Sequence, residues 1–82
     1  MKNSALLKKA EGYLSFCEAM ISKSIKNRKL KDAFEWYQNL AGALDMMHWM
    51  DLISEEARKA RADPAFERCL AAMRAGMQEK TV

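Results

Sequence analysis

Turn-forming and cross-linking residues are scarce in this chain. One proline, three glycines, two cysteines and one histidine are spread over 82 residues. So few prolines and glycines leave little to interrupt helices, and the shortage of β-branched runs leaves little to build strands. Cys17 and Cys69 lie too far apart for the paired spacing of a zinc site, and His48 alone cannot complete one. They read as reduced, buried, small apolar residues and not as a disulfide framework. No metal and no cofactor are expected. Long apolar runs are missing too: nothing approaches the roughly 20 residues that cross a bilayer, so no membrane span is expected. The opening "MKNSALLKKAEG" has a three-residue apolar patch, far short of an export leader, which predicts a cytoplasmic protein. No glycine-rich phosphate loop is present.

What is present favours helix. Half of the residues are hydrophobic, 30% are charged and seven are methionine, a balance that argues against disorder. At this length the chain is one small helical domain, 1–82, with a limited core that oligomerisation would supplement. Net charge is +3, unevenly spread. Residues 1–41 hold eight Lys/Arg against four Asp/Glu, whereas residues 42–82 hold six against seven.

Periodicity predicts an all-α fold of three helices. The first covers about 4–26, with Asn3 or Ser4 as cap and Asn27 as the left-handed terminator. Its apolar stripe is Leu7, Ala10, Leu14, Cys17 and Ile21, with Phe16 at the margin. The last covers about 64–79, with Asp63 as cap, Pro64 in the first turn and a stripe of Phe66, Cys69, Leu70, Met73 and Met77. Between them, 29–62 reads as one long central helix interrupted only by Gly42, a weak breaker. Within it, Leu30, Ala33, Phe34, Tyr37, Leu40, Ala41 and Leu44 form one face. From Met46 onward a second face appears, made of Met46, Trp49, Met50, Ile53, Ala57 and Ala60, about 170° away at 100° per residue. The segment "MMHWMDLI" is apolar all round because the two stripes overlap there.

A stripe that changes sides has two physical solutions. The helix breaks near Asp51 to Ser54 and both stripes share one core, or it stays straight and a second chain covers what remains open. "ISEEARKAR" reads as continuous helix with Glu55 and Lys59 one turn apart, which favours the straight helix and a bundle completed by dimerisation.

No constellation points to catalysis. His48, Asp51 and Glu55 share a helical face but supply too few ligands for a metal, and read as a solvated polar strip. Cys17 sits among leucines as an inert thiol, not a nucleophile. "LKDAFEWYQNL" has the Leu30, Ala33, Tyr37 spacing of a tetratricopeptide-repeat helix. Ile21 stands where that repeat wants a small residue, and no second copy follows, so no family is assigned.

The expected function is a non-catalytic protein–protein interaction module, an adaptor, chaperone or inhibitor of a size that suits a phage- or plasmid-type regulator. It would act as a homodimer or on an unidentified protein partner. Met46, Trp49, Met50 and Ile53 are the candidate interface, since Trp and Met are enriched at interface centres. The alternative is a nucleic-acid-binding regulator using the basic turn Lys23, Lys26, Arg28, Lys29 and Lys31. Asp32 and Glu35 dilute that cluster, and no helix shows a basic face suited to a DNA groove.

Overall fold

A computed structural model describes residues 2–76, with side chains from Ser4 onward. The described chain is all-helical: α1 (Lys2–Lys26), α2 (Leu30–Trp49) and α3 (Glu55–Arg74), without strands. The helices are similar in length, at 25, 20 and 20 residues. The long central helix over 29–62 is therefore replaced by two helices. The last helix begins at Glu55 and not at 64, with Asp63 and Pro64 inside it.

The break is local chemistry that the apolar pattern conceals. Asp51 adopts a left-handed conformation, φ 60°. That lets Leu52 N–H reach back to the Met47 carbonyl at 2.8 Å and Asp51 N–H to the His48 carbonyl at 3.0 Å. This paired arrangement is a Schellman stop. Ser54 then caps α3 by accepting from Ala57 N–H at 3.1 Å, and Glu55 and Glu56 fill the first turn, where the helix dipole favours acids.

The turn between α1 and α2 repeats the device. Lys29 N–H meets the Ser24 carbonyl at 2.8 Å and Arg28 N–H the Ile25 carbonyl at 3.0 Å. Arg28, not Asn27, takes the left-handed position. Gly76 does so after α3. At the start of α1, Asn3 and Ser4 lie within the helix and do not precede it.

Leu14, Cys17 and Ile21 of α1 pack against Ala33, Leu40, Leu44 and Met47 of α2, much as the first two stripes predict. The α3 contribution is small-residue packing, Ala62, Ala65 and Cys69, which lets the helix approach closely. The Cys69 thiol donates to the Ala33 carbonyl at 3.7 Å. Phe66 and Met73, expected in the α3 stripe, are partly exposed, and Met77 lies outside the described residues.

A polar seam joins α1 to α3. Arg61 Nε donates to Glu18 at 2.6 Å, and its Nη1 donates to both oxygens of Glu11, at 2.9 and 3.0 Å. Arg68, two turns on, donates to the Ser22 hydroxyl. Glu11, Ser15, Glu18 and Ser22 recur every three or four residues on one face of α1, so this polar face is partly a contact. The pairing also fixes direction: α1 and α3 run parallel, both antiparallel to α2. The hydrogen bond to Glu18, helped by those to Glu11, raises the Arg61 pKa further against the opposing effect of burial.

The shape is long and thin, 48 × 22 × 14 Å, with a radius of gyration of 14.0 Å against about 12 Å for a compact chain of this size. Among the described residues no helix is long and apolar enough to cross a membrane.

Three stability changes follow from the helix ends and the seam. Arg28→Gly relieves a left-handed non-glycine residue and should raise the unfolding free energy by about 0.5–1 kcal/mol, whereas Ser54→Ala should lower it by about 1 kcal/mol. Arg61→Met should cost about 1 kcal/mol, because its partners are half-exposed and solvent screens them. Urea unfolding of the three variants measures each sign directly.

Candidate interaction surface

Eight large apolar side chains are exposed among the described residues: Leu6, Tyr13 and Phe16 on α1, Met46, Trp49 and Met50 at and just after the end of α2, and Phe66 and Met73 on α3. The antiparallel pairing lays the start of α1 alongside the end of α2. Phe16 meets Trp36 edge-on, centroids 5.3 Å apart and planes at 87°. Following that register, Leu6 falls level with Met46.

Trp49 is the extreme case at 82% exposed, with Met46 at 58% and Met50 at 49%. The reason is the position of the break. Because α2 stops at Trp49 and α3 returns along the side carrying Tyr37 and Ala33, the second stripe never acquires an intrachain cover. Ile53 separates from the other three, since the turn carries it inward to pack half-buried against the core. Ala57 and Ala60 are exposed, so the stripe does not become the inner face of α3.

Gly42, Asp45, Met46 and Trp49 line an open hollow of about 440 Å³. Their spacing places them together on the side of α2 opposite Leu40 and Leu44. Asp45 at its rim accepts from Arg58 Nη1 at 3.2 Å. Arg58 also grips Glu55 through Nε at 2.8 Å and Nη2 at 2.6 Å, so Arg58, not Lys59, is the close partner of Glu55. His48 Nε2 stands 3.7 Å from Glu55. The strip expected from His48, Asp51 and Glu55 thus becomes a cross-turn charge network without Asp51. No group of three or more His, Cys, Asp or Glu suited to a metal occurs among the described residues.

The basic residues lie at the other end, about 30 Å away along the length of α2. Lys23 and Lys26 occupy the last turn of α1, Arg28 and Lys29 the connection, and Lys31 the start of α2; all five are exposed. Lys23 and Lys26 also complement the C-terminal dipole of α1. The two candidate surfaces are therefore separate.

Neither cysteine forms a disulfide, and both are buried. Burial raises the Cys69 pKa, with a smaller opposing effect from Arg68. That keeps the thiol protonated and unreactive. Tyr13 has a raised pKa owing chiefly to its hydrogen bond with Cys17. Comparison of the chain with protein-family models, with curated proteins and with solved structures finds no match.

The network at the break gives stability a pH dependence. Hydrogen bonding to Arg58 holds the Glu55 carboxyl below its ordinary value; the charges of Arg58, His48 and Lys59 help, against partial desolvation. A folded-state pKa below the unfolded one contributes stability above the ordinary carboxylate range, lost as pH falls through the folded value. Glu55→Gln should therefore lower the urea midpoint near neutrality and flatten its fall in acid. An unchanged acid slope would remove Glu55 from the titrating set.

Proposed function

We propose that this chain is a small, non-catalytic interaction module that acts by covering a protein surface and that itself forms a homodimer. The observation that carries this reading is Trp49, 82% exposed between Met46 and Met50. An indole and two thioethers gathered on one open surface resemble the centre of an interface before its partner arrives. Thioether side chains repack readily, which suits an adaptor, chaperone or inhibitor that meets a shaped apolar surface. Two buried free thiols fit a reducing, cytoplasmic setting. The interface in this reading is Met46, Trp49 and Met50, with Ile53 acting from beneath as a support.

The second reading is nucleic-acid binding at the opposite end. It is favoured by the common exposure of Lys23, Lys26, Arg28, Lys29 and Lys31 around one turn. It ranks lower because Asp32 sits in the first turn of α2 beside them, and because they crowd a helix end instead of lining a helix face.

Affinity capture with wild-type and Trp49→Ala chains from the source cell tests the first reading. A specific protein should be retained by the wild type and lost with Trp49→Ala, at unchanged helix content by circular dichroism. Equal retention by both would overturn the assignment of this surface. For the second reading, binding to a mixed-sequence duplex should be weak and vanish near physiological salt. Tight, sequence-selective binding there, abolished when Lys26, Arg28 and Lys29 become Glu, would reverse the ranking.

A further inference from the structure

Gly42, like Gly12, is a helical glycine that no contact inside its own chain requires. It lies in the interior of α2, exposed, and a Cβ added there would meet nothing within 4 Å. Mid-helix glycine costs about 0.5–1 kcal/mol relative to alanine, and no intrachain contact repays it. One heptad further along the same stripe stands Trp49, the most exposed of the large apolar side chains among the described residues. The surface thus offers a protruding indole and, one heptad away, a bare glycine, with the open hollow lying between them, lined by both and by Asp45 and Met46.

We infer that a second copy of this chain seats on this stripe, α2 against α2 antiparallel, with the indole of Trp49 in the hollow over Gly42 of the partner. This inference rests on the interaction reading above and names the occupant of its surface. A two-fold axis between Asp45 and Met46 relates Trp49 to Gly42 of the other copy and repeats the contact in reverse, as a self-complementary interface requires. Met46 then lies at the centre, where desolvation is most complete. The one charge in the stripe, Asp45, already has Arg58 as its partner at 3.2 Å, so covering it leaves no unpaired carboxylate. Beyond the apolar centre, the same symmetry brings exposed Asp51 near Gln38 and Asn39 of the partner, whose amides can donate to it.

The inference separates folding from assembly at a single position. Gly42→Ala improves helix propensity and meets no obstacle in the monomer, so its thermal midpoint should rise by a few degrees. The same methyl fills the floor of the hollow and should weaken dimerisation about tenfold or more. Trp49→Ala should weaken it about thirtyfold. Gly12→Ala is the control: it is an exposed helical glycine with open space around it, away from the seam, and should raise the midpoint without changing assembly. Sedimentation equilibrium over a micromolar to submillimolar range, with thermal unfolding of each variant, reads both quantities. A dimer that Gly42→Ala does not weaken overturns this seam. A chain that stays monomeric yet captures a protein through Trp49 overturns the seam and leaves the interaction reading standing; a monomer with no Trp49-dependent capture overturns both.

Discussion

The hydrogen bond from Leu52 N–H to the Met47 carbonyl, 2.8 Å long, decides the arrangement of everything after it. It closes only because Asp51 accepts a left-handed backbone, a conformation that aspartate tolerates better than most residues. Had α2 continued, the stripe beginning at Met46 would have run on through Ile53 and Ala57 on the far side from α1. With the stop in place the chain reverses, Leu52 and Ile53 turn inward, and α3 returns along the flank of α2. The exposed surface and the core are two consequences of the same termination. Ending the helix at Trp49 turns Leu52 and Ile53 inward and leaves Met46, Trp49 and Met50 outside.

That reversal brings back a helix with little apolar weight. Its buried contribution is two alanines and a cysteine, so its area term is small at about 25 cal/mol per Å². What holds it in register is the ladder of Arg61 and Arg68 against Glu11, Ser15, Glu18 and Ser22. The partly sheltered Arg61 guanidinium makes two-toothed contacts with two carboxylates, which adds direction to a contact of modest energy. Small residues set how close α3 comes, and the arginines set where along α1 it stops. Such division suits an elongated molecule whose third helix cannot depend on a deep core.

The three-helix character and the inner faces of α1 and α2 were legible because long stripes of Leu, Ile and Ala repeat at the helical period. Leu14, Ile21, Leu40 and Leu44 are all buried. The break was harder to see. Leu52 and Ile53 fit a helical stripe as well as they fit a turn tucked into a core, and periodicity cannot tell those apart. The usable signal is "SEE", a capping serine followed by two acids, set among helix-forming residues on either side that mask it. Pro64 misled in the same way: it suits a first turn, yet α3 carries it in its interior. Met46, Trp49, Met50 and Ile53 stand out in the sequence because one small core cannot hold them all; the first three are exposed, whereas Ile53 packs against the core. Gly42 does not stand out, since an exposed mid-helix glycine has no pattern until the space around it is known.

Among the exposed aromatic residues, Trp49 differs in kind. Phe66 leans on Tyr37 with centroids 5.2 Å apart, Phe16 leans on Trp36, and Tyr13 is tied to Cys17. Each shows a face to solvent while another part of the side chain meets a neighbour within the fold, across to another helix for Phe16 and Phe66. Trp49 enters no ring pair among the described residues. Its direction also rules out rescue by a small adjustment, because α3 is committed to the other flank of α2 by the Ala33–Cys69 contact and by the arginine ladder on α1. Swinging α3 across to cover the indole would break both sets of contacts and expose Ala62, Ala65 and Cys69. A cover for Trp49 that leaves this fold intact therefore has to come from beyond the three helices.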